Sequence, residues 1–158
     1  MDTFFGSTRV IIRTIKNAFR QDQLSLIQKF INILQQEKEV KDVISIFSEK
    51  YLEGAGGSFE VQYLAELNQP QKINIDKLKE KLNSFPLYYQ SLFSGNDLNI
   101  TIQFDHSVTD QQMNEIINDS IAKLEGNTNG WVLSGWPEIN NSIKVIMDRD
   151  LMILVPLI

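Results

Sequence analysis

A chain of 158 residues, 42% hydrophobic and 22% charged, is long enough for one domain, or for one small domain with an appendage, and too apolar to remain disordered. It contains no cysteine, which excludes a disulfide framework, a thiolate nucleophile and any cysteine-held zinc or iron–sulfur centre, and favours a reducing cytoplasm. The formal net charge of −5 argues against nucleic-acid binding by bulk electrostatics. No apolar run reaches the ~18 residues of a membrane span, and the N-terminus has no apolar core followed by a small-residue cleavage site, so neither a span nor a secretion signal is expected.

Residues 1–20 carry Arg9, Arg13, Lys16 and Arg20 against Asp2, a balance of 4 − 1 = +3 that leaves −8 for the remainder of a chain of −5. On a helix, spacings of four, three and four gather these cations into one stripe, with Ile11, Ile12, Ile15 and Phe19 mostly elsewhere around the axis. A basic amphipathic helix is therefore predicted. Either its apolar side docks on the acidic body, or its cations meet an acidic protein surface or an anionic membrane. Asp22 can cap a second helix, in which Leu24, Ile27, Ile31 and Leu34 recur at helical spacing and Leu26, Phe30 and Ile33 widen the stripe. After the polar run 35–39, Val40, Val43, Ile44, Phe47 and Tyr51 form another helical stripe, as a separate helix or as a continuation.

Gly54-Ala55-Gly56-Gly57-Ser58 cannot hold a helix. The boundary between an N-terminal helical segment, 1–53, and an α+β domain, 58–158, is placed there. A phosphate-loop reading of these glycines fails because such loops lead from strand to helix, this one leads from helix to predicted strand, and no Lys-Ser/Thr pair follows. Phe59, Val61, Tyr63, Ala65 and Leu67 then alternate with mostly polar residues, predicting a strand with one face toward the core. Ile73 to Leu82 predicts a short helix opened by Asn74 or Asp76, with Leu78 and Leu82 on one side and Lys77, Lys79 and Lys81 spread around it, as solvated charge more than as a phosphate-binding face. The aromatic segment 85–93 has no clean period.

Leu98, Ile100, Ile102 and Phe104 alternate with Asn99, Thr101 and Gln103, the plainest strand signal in the chain. Thr109 and Gln112 have capping-box spacing, so a helix starts near Asp110, buries Met113, Ile116, Ile117, Ile121 and Leu124, and stops at Gly126. Trp131 to Leu133 predicts a short strand before a turn at Gly135 and Pro137. Residues 142–155 predict a β-hairpin turning at Asp148-Arg149-Asp150, whose second strand, Leu151 to Val155, is apolar throughout, as a central strand covered on both faces would be. The order of elements implies α+β with a mainly antiparallel sheet, a ferredoxin-like sandwich being the leading topology, preceded by the helical segment.

Motifs that carry chemistry are sparse. His106 is the sole histidine; flanked by Asp105 and Ser107 on an extended chain, it cannot make a triad with neighbours that point the other way, and a polar connection into the next helix is the simpler reading. The two aspartates around Arg149 are too few ligands for a hard cation and fit a turn. Trp131 and Trp136 either seal an edge of the core or form an aromatic platform for a partner. No catalytic residue, metal or cofactor is assigned. The expectation is a noncatalytic cytoplasmic interaction module, an adaptor, inhibitor or effector-associated regulatory protein, that meets an acidic protein surface or an anionic membrane through Arg9, Arg13, Lys16, Arg20, Trp131 and Trp136. The alternative is a small enzyme or ligand-binding domain centred on His106 and the Trp131/Trp136 loop.

Overall fold

The structure, a computed structural model, describes residues 9–14, 17–66, 69, 72–84, 89–135, 139 and 142–147. Its centre is β6 (Asp97–Phe104), where Leu98, Ile100, Ile102 and Phe104 are each 1% exposed or less while the alternate residues lie half-buried on the other face. On one side β6 pairs antiparallel with β1 (Arg9–Thr14), and on the other with β2 (Val40–Ile44), which carries an irregularity between Val40 and Asp42. β1 pairs in turn with β7 (Trp131–Ser134), again antiparallel, giving the order β2-β6-β1-β7, and the two-residue β5 (Phe93–Ser94) folds back on the start of β6. Between β2 and β6 the chain adds a separate two-stranded sheet, β3 (Lys50–Ala55) with β4 (Ser58–Tyr63), and the helix α2 (Ile75–Ser84). The fold is α+β with a mostly antiparallel sheet.

The helices α1 (Gln21–Leu34) and α3 (Asp110–Ala122) join their apolar stripes to the inner face of the sheet. Leu24, Ile27, Phe30, Ile31 and Leu34 of α1 and Met113 and Ile117 of α3 belong to one buried cluster with Val10, Ile12 and the inner residues of β6. Such side chains contribute about 1.5–3 kcal/mol each when fully buried. α3 starts as the spacing predicts: the Thr109 hydroxyl accepts from the Gln112 N–H at 3.3 Å, and the Gln112 side-chain oxygen accepts from the Thr109 N–H at 3.0 Å. α1 does not start at Asp22. Arg20 is its N-cap without a side-chain bond, and Asp22 stands in the first turn, where a carboxylate suits the helix dipole. In α2, Leu78 and Leu82 are buried as expected, and Asn74 accepts from the Lys77 N–H at 3.1 Å.

Several expectations are corrected. Residues 9–14 form a central strand rather than part of a basic helix: Val10, Ile12 and Thr14 point inward and Arg9, Ile11 and Arg13 outward. A spacing of four fits a period of two as well as it fits 3.6, so Arg9 and Arg13 share a face in either element, and the β-branched run favours the strand. Residues 40–51 are likewise not helical; Val43 is buried from β2, Ile46 and Phe47 from the following turn, and Tyr51 packs from β3. The glycine run does not divide a helical segment from an α+β unit. Gly56 and Gly57, with φ of 56° and 95°, form the turn between β3 and β4, the two positive values that a tight twisted hairpin requires. Strands from both sides of it share one sheet.

The predicted strand at residues 142–147 is a helical turn instead, a short apolar run being compatible with either period; Leu151 to Val155, the second strand of that expected hairpin, lies outside the described residues. Gly126 also acts differently from expectation. α3 already ends at Ala122, and a Cβ on Gly126 would stand 2.4 Å from the nearest methyl carbon of Leu26 on α1. Gly126→Ala should therefore lower stability in chemical denaturation by about 1–2 kcal/mol through overpacking. Gly54→Ala, where an added Cβ meets nothing within 4 Å, should stay within about 0.5 kcal/mol.

Candidate functional site

The β3–β4 hairpin has two chemically different faces. Antiparallel register sets Lys50 opposite Tyr63, Leu52 opposite Val61 and Gly54 opposite Phe59, so these six residues share one face. On it Leu52, Phe59, Val61 and Tyr63 are 68%, 79%, 63% and 51% exposed. The Lys50 ammonium lies 4.8 Å from the centroid of the Tyr63 ring, a cation–π contact at the base of the patch. The alternation read from Phe59, Val61 and Tyr63 is correct in period. Neither face of β4 is buried, since all of Ser58–Tyr63 is exposed, and the core is entered just beyond the strand, at Leu64 and Ala65.

The opposite face carries Tyr51 and Gln62 and turns toward α2. The Tyr51 hydroxyl donates to Gln62 Oε1 at 2.7 Å and accepts from Lys81 Nζ, which also lies 3.7 Å from the centroid of the tyrosine ring. A cavity of about 290 Å³ opens here, lined among others by Tyr51, Gln62, Glu66, Lys72, Lys77 and Lys81. Lys77 and Lys81 are four apart and so stand on one side of α2, whereas Lys79 faces away, over the Phe19 ring at 5.0 Å. A wider groove of about 610 Å³, lined by Phe47, Lys50, Tyr63 and Glu66 among others, runs beside the base of the hairpin.

Among the described residues, those singled out from sequence do not converge. On β1, Arg13 directs Nε and Nη2 to Asp97 Oδ2 at 3.0 and 2.7 Å. Arg20 holds Asp22 with two bonds of 3.0 Å. Arg9 stands opposite Gln103 on the outer face of the sheet; Lys16 and Trp136 lie outside the described residues. Trp131 is half-buried on β7, its ring 5.3 Å from Phe30 at 72° and its Nε1–H donated to Gln23 Oε1 at 3.3 Å. This is the edge-on geometry of a packed aromatic pair with its polar atom satisfied. Thr14 pairs with both Leu98 and Trp131, so Trp131 is level with the start of β6. His106 follows the end of that strand, roughly 20 Å away at about 3.3 Å per residue.

His106 itself is exposed. Its neighbour Asp105 accepts from the Ser107 N–H at 3.0 Å and the Ser107 hydroxyl at 2.9 Å. Among the described residues, no group of three or more His, Asp or Glu side chains gathers as a metal site, and no helix is long and apolar enough to cross a membrane. No protein-family model, curated protein or solved structure matches the chain.

The Ser107 backbone N–H first, and its hydroxyl second, hold the Asp105 carboxyl below the usual carboxylate range. A depressed folded-state pKa contributes stability above the unfolded value, and that contribution disappears as pH falls through the folded value. Ser107→Ala removes the hydroxyl and keeps the N–H. An NMR titration should therefore find the Asp105 pKa raised part of the way toward the usual range, with its stabilising contribution lost at a higher pH than in the unaltered chain.

Proposed function

We propose that the chain is a noncatalytic cytoplasmic interaction module, an adaptor, inhibitor or effector-associated regulatory protein, and that it meets its partner through the outer face of the β3–β4 hairpin. The observation that carries this reading is the grouping of Leu52, Phe59, Val61 and Tyr63, each more than half exposed, on one face of a two-stranded ribbon. Contiguous exposed apolar side chains of this size mark association surfaces, and aromatic residues dominate their energetics. The partner is a protein that presents an apolar patch with carboxylates at its edge, to which Lys50 is complementary. The basic residues first expected to recognise an acidic partner support this less, because Arg13 and Arg20 are engaged by Asp97 and Asp22. The reading centred on His106 and the tryptophan loop is weakened by the separation of His106 and Trp131 along β6.

We further propose that the main sheet and its two helices form a ferredoxin-like sandwich. Support comes from the order β1-α1-β2-β6-α3-β7, a strand–helix–strand–strand–helix–strand run once 45–96 is set aside as an insertion, and from the all-antiparallel order β2-β6-β1-β7.

Leu52→Ser/Val61→Ser tests the interaction reading. The melting temperature should hardly change, since exposed substitutions stay within about 0.5 kcal/mol each, while binding of a fluorescent apolar dye and recovery of a stoichiometric protein partner should both fall. A control pair on the exposed side of α3, Gln111→Ser/Glu115→Ser, should retain both. Destabilisation of more than about 2 kcal/mol, the size of a buried apolar side chain, would mean that the face is covered within the chain and would defeat the proposal.

A further inference from the structure

We propose that the cavity between the inner face of the hairpin and α2 is a binding site for a phosphomonoester dianion. Among the described residues that line it, Lys72, Lys77 and Lys81 stand with one acid, Glu66, a balance of 3 − 1 = +2. A phosphomonoester carries about −1.5 to −2 at neutral pH and offers three strong acceptor oxygens, which matches that balance; a single carboxylate would leave it half neutralised. The concentration of cations is local, in a chain of net charge −5. Among the described residues the ion pairs are Arg13–Asp97, Arg20–Asp22 and Lys123–Glu37, and none of them engages the three lysines of the cavity.

Lys81 is not a freely waving surface cation. Its side chain is half-buried, its ammonium is held over the Tyr51 ring, and it donates to the Tyr51 hydroxyl, which Gln62 anchors from β4. One lysine is thus oriented before any ligand arrives, which lowers the ordering cost of binding. Lys77 projects from the same side of α2 one turn earlier, and Lys72 approaches from the segment before the helix. Ile73 and Leu78 supply apolar wall, and the volume of about 290 Å³ suits a small ester at the lower end of the range for ligand sites. Apart from Tyr63, which also lines the cavity, the apolar face of the hairpin lies on the other side of the same strands. The anion site therefore rests on the cavity alone, and either surface can fail without the other.

The test is calorimetric titration of the full chain with inorganic phosphate and with phenyl phosphate in chloride buffer. Both should bind saturably. Tighter binding of phenyl phosphate would assign the walls to the ester's organic group, and equal binding would place recognition in the phosphoryl group alone; each supports a phosphoryl site. Lys77→Ala and Lys81→Met should each weaken binding about tenfold, as expected for loss of a charge-assisted hydrogen bond. Lys79→Ala, on the other side of the helix, should change it less than about twofold. Lys81→Met keeps an unbranched stem on Tyr51, and melting curves matching the unaltered chain will separate loss of the charge from loss of the fold. Absence of saturable binding at millimolar ligand, or an equal loss in Lys79→Ala, would overturn the site.

Discussion

The antiparallel pairing of β1 with β6 is the constraint from which the rest of the architecture follows. It joins Thr14 to Leu98 across the chain, a closure whose entropic cost is repaid only because the inner face of both strands is then removed from water. Val10 and Ile12 become fully buried through it, and β7 can add to the free side of β1. The buried hydroxyl of Thr14 is satisfied within the same ladder: it donates to the Leu98 carbonyl at 3.1 Å and accepts from the Leu98 N–H at 3.3 Å. A polar atom in the inner layer is tolerated on that condition. The Arg13–Asp97 pair lies outside this layer at the same end of the strands, with the arginine side chain 47% exposed; it adds specificity of register more than stability.

Because β2 and β6 are antiparallel neighbours, the long connection between them leaves and re-enters the sheet at one end. Leu64, Leu78, Leu82, Tyr89 and Leu92 from this connection enter the same buried cluster as α1 and the sheet, which fixes its base. The hairpin beyond that base is different. A two-stranded ribbon has little stability of its own in water, and here its inner face is tied to α2 through Tyr51 and Lys81 while its outer face stays bare. Both proposed surfaces arise from that one arrangement, the apolar one from the side left uncovered and the cationic one from the side tied down.

Several elements were legible because their signals are local. β6 shows strict alternation, α3 carries its capping box at Thr109 and Gln112, and α1 has a broad apolar stripe with correct spacing. α2 and the short strand at Trp131 were recognised from a few residues bounded by turn formers. The two helical misreadings, at 9–14 and 40–51, share one physical cause. Spacings of four occur in both a helix and a strand, so Arg9 and Arg13 were compatible with either, and the outward Ile11 hid the alternation that would have separated them. At 40–51 the apolar positions have helical spacing only because buried residues of two strands and the turn between them fall in succession.

The sequence by itself determined the α+β class, the buried stripes of α1 and α2, the capped start of α3 and the central strand, since amphipathic period and capping chemistry act within a few residues. It also determined that the chain lacks thiolate chemistry, because no cysteine is present. Tertiary structure decided the rest. Whether the apolar side of Phe59, Val61 and Tyr63 meets core or solvent depends on what lies across from it, and periodicity carries no sign. Whether Lys77 and Lys81 are scattered surface charge or the wall of a cavity depends on β3 and β4, separate elements earlier in the chain, facing the same side of α2. Pairing and packing across such distances are set by which apolar surfaces can be buried together, a property of the whole chain that no local pattern encodes.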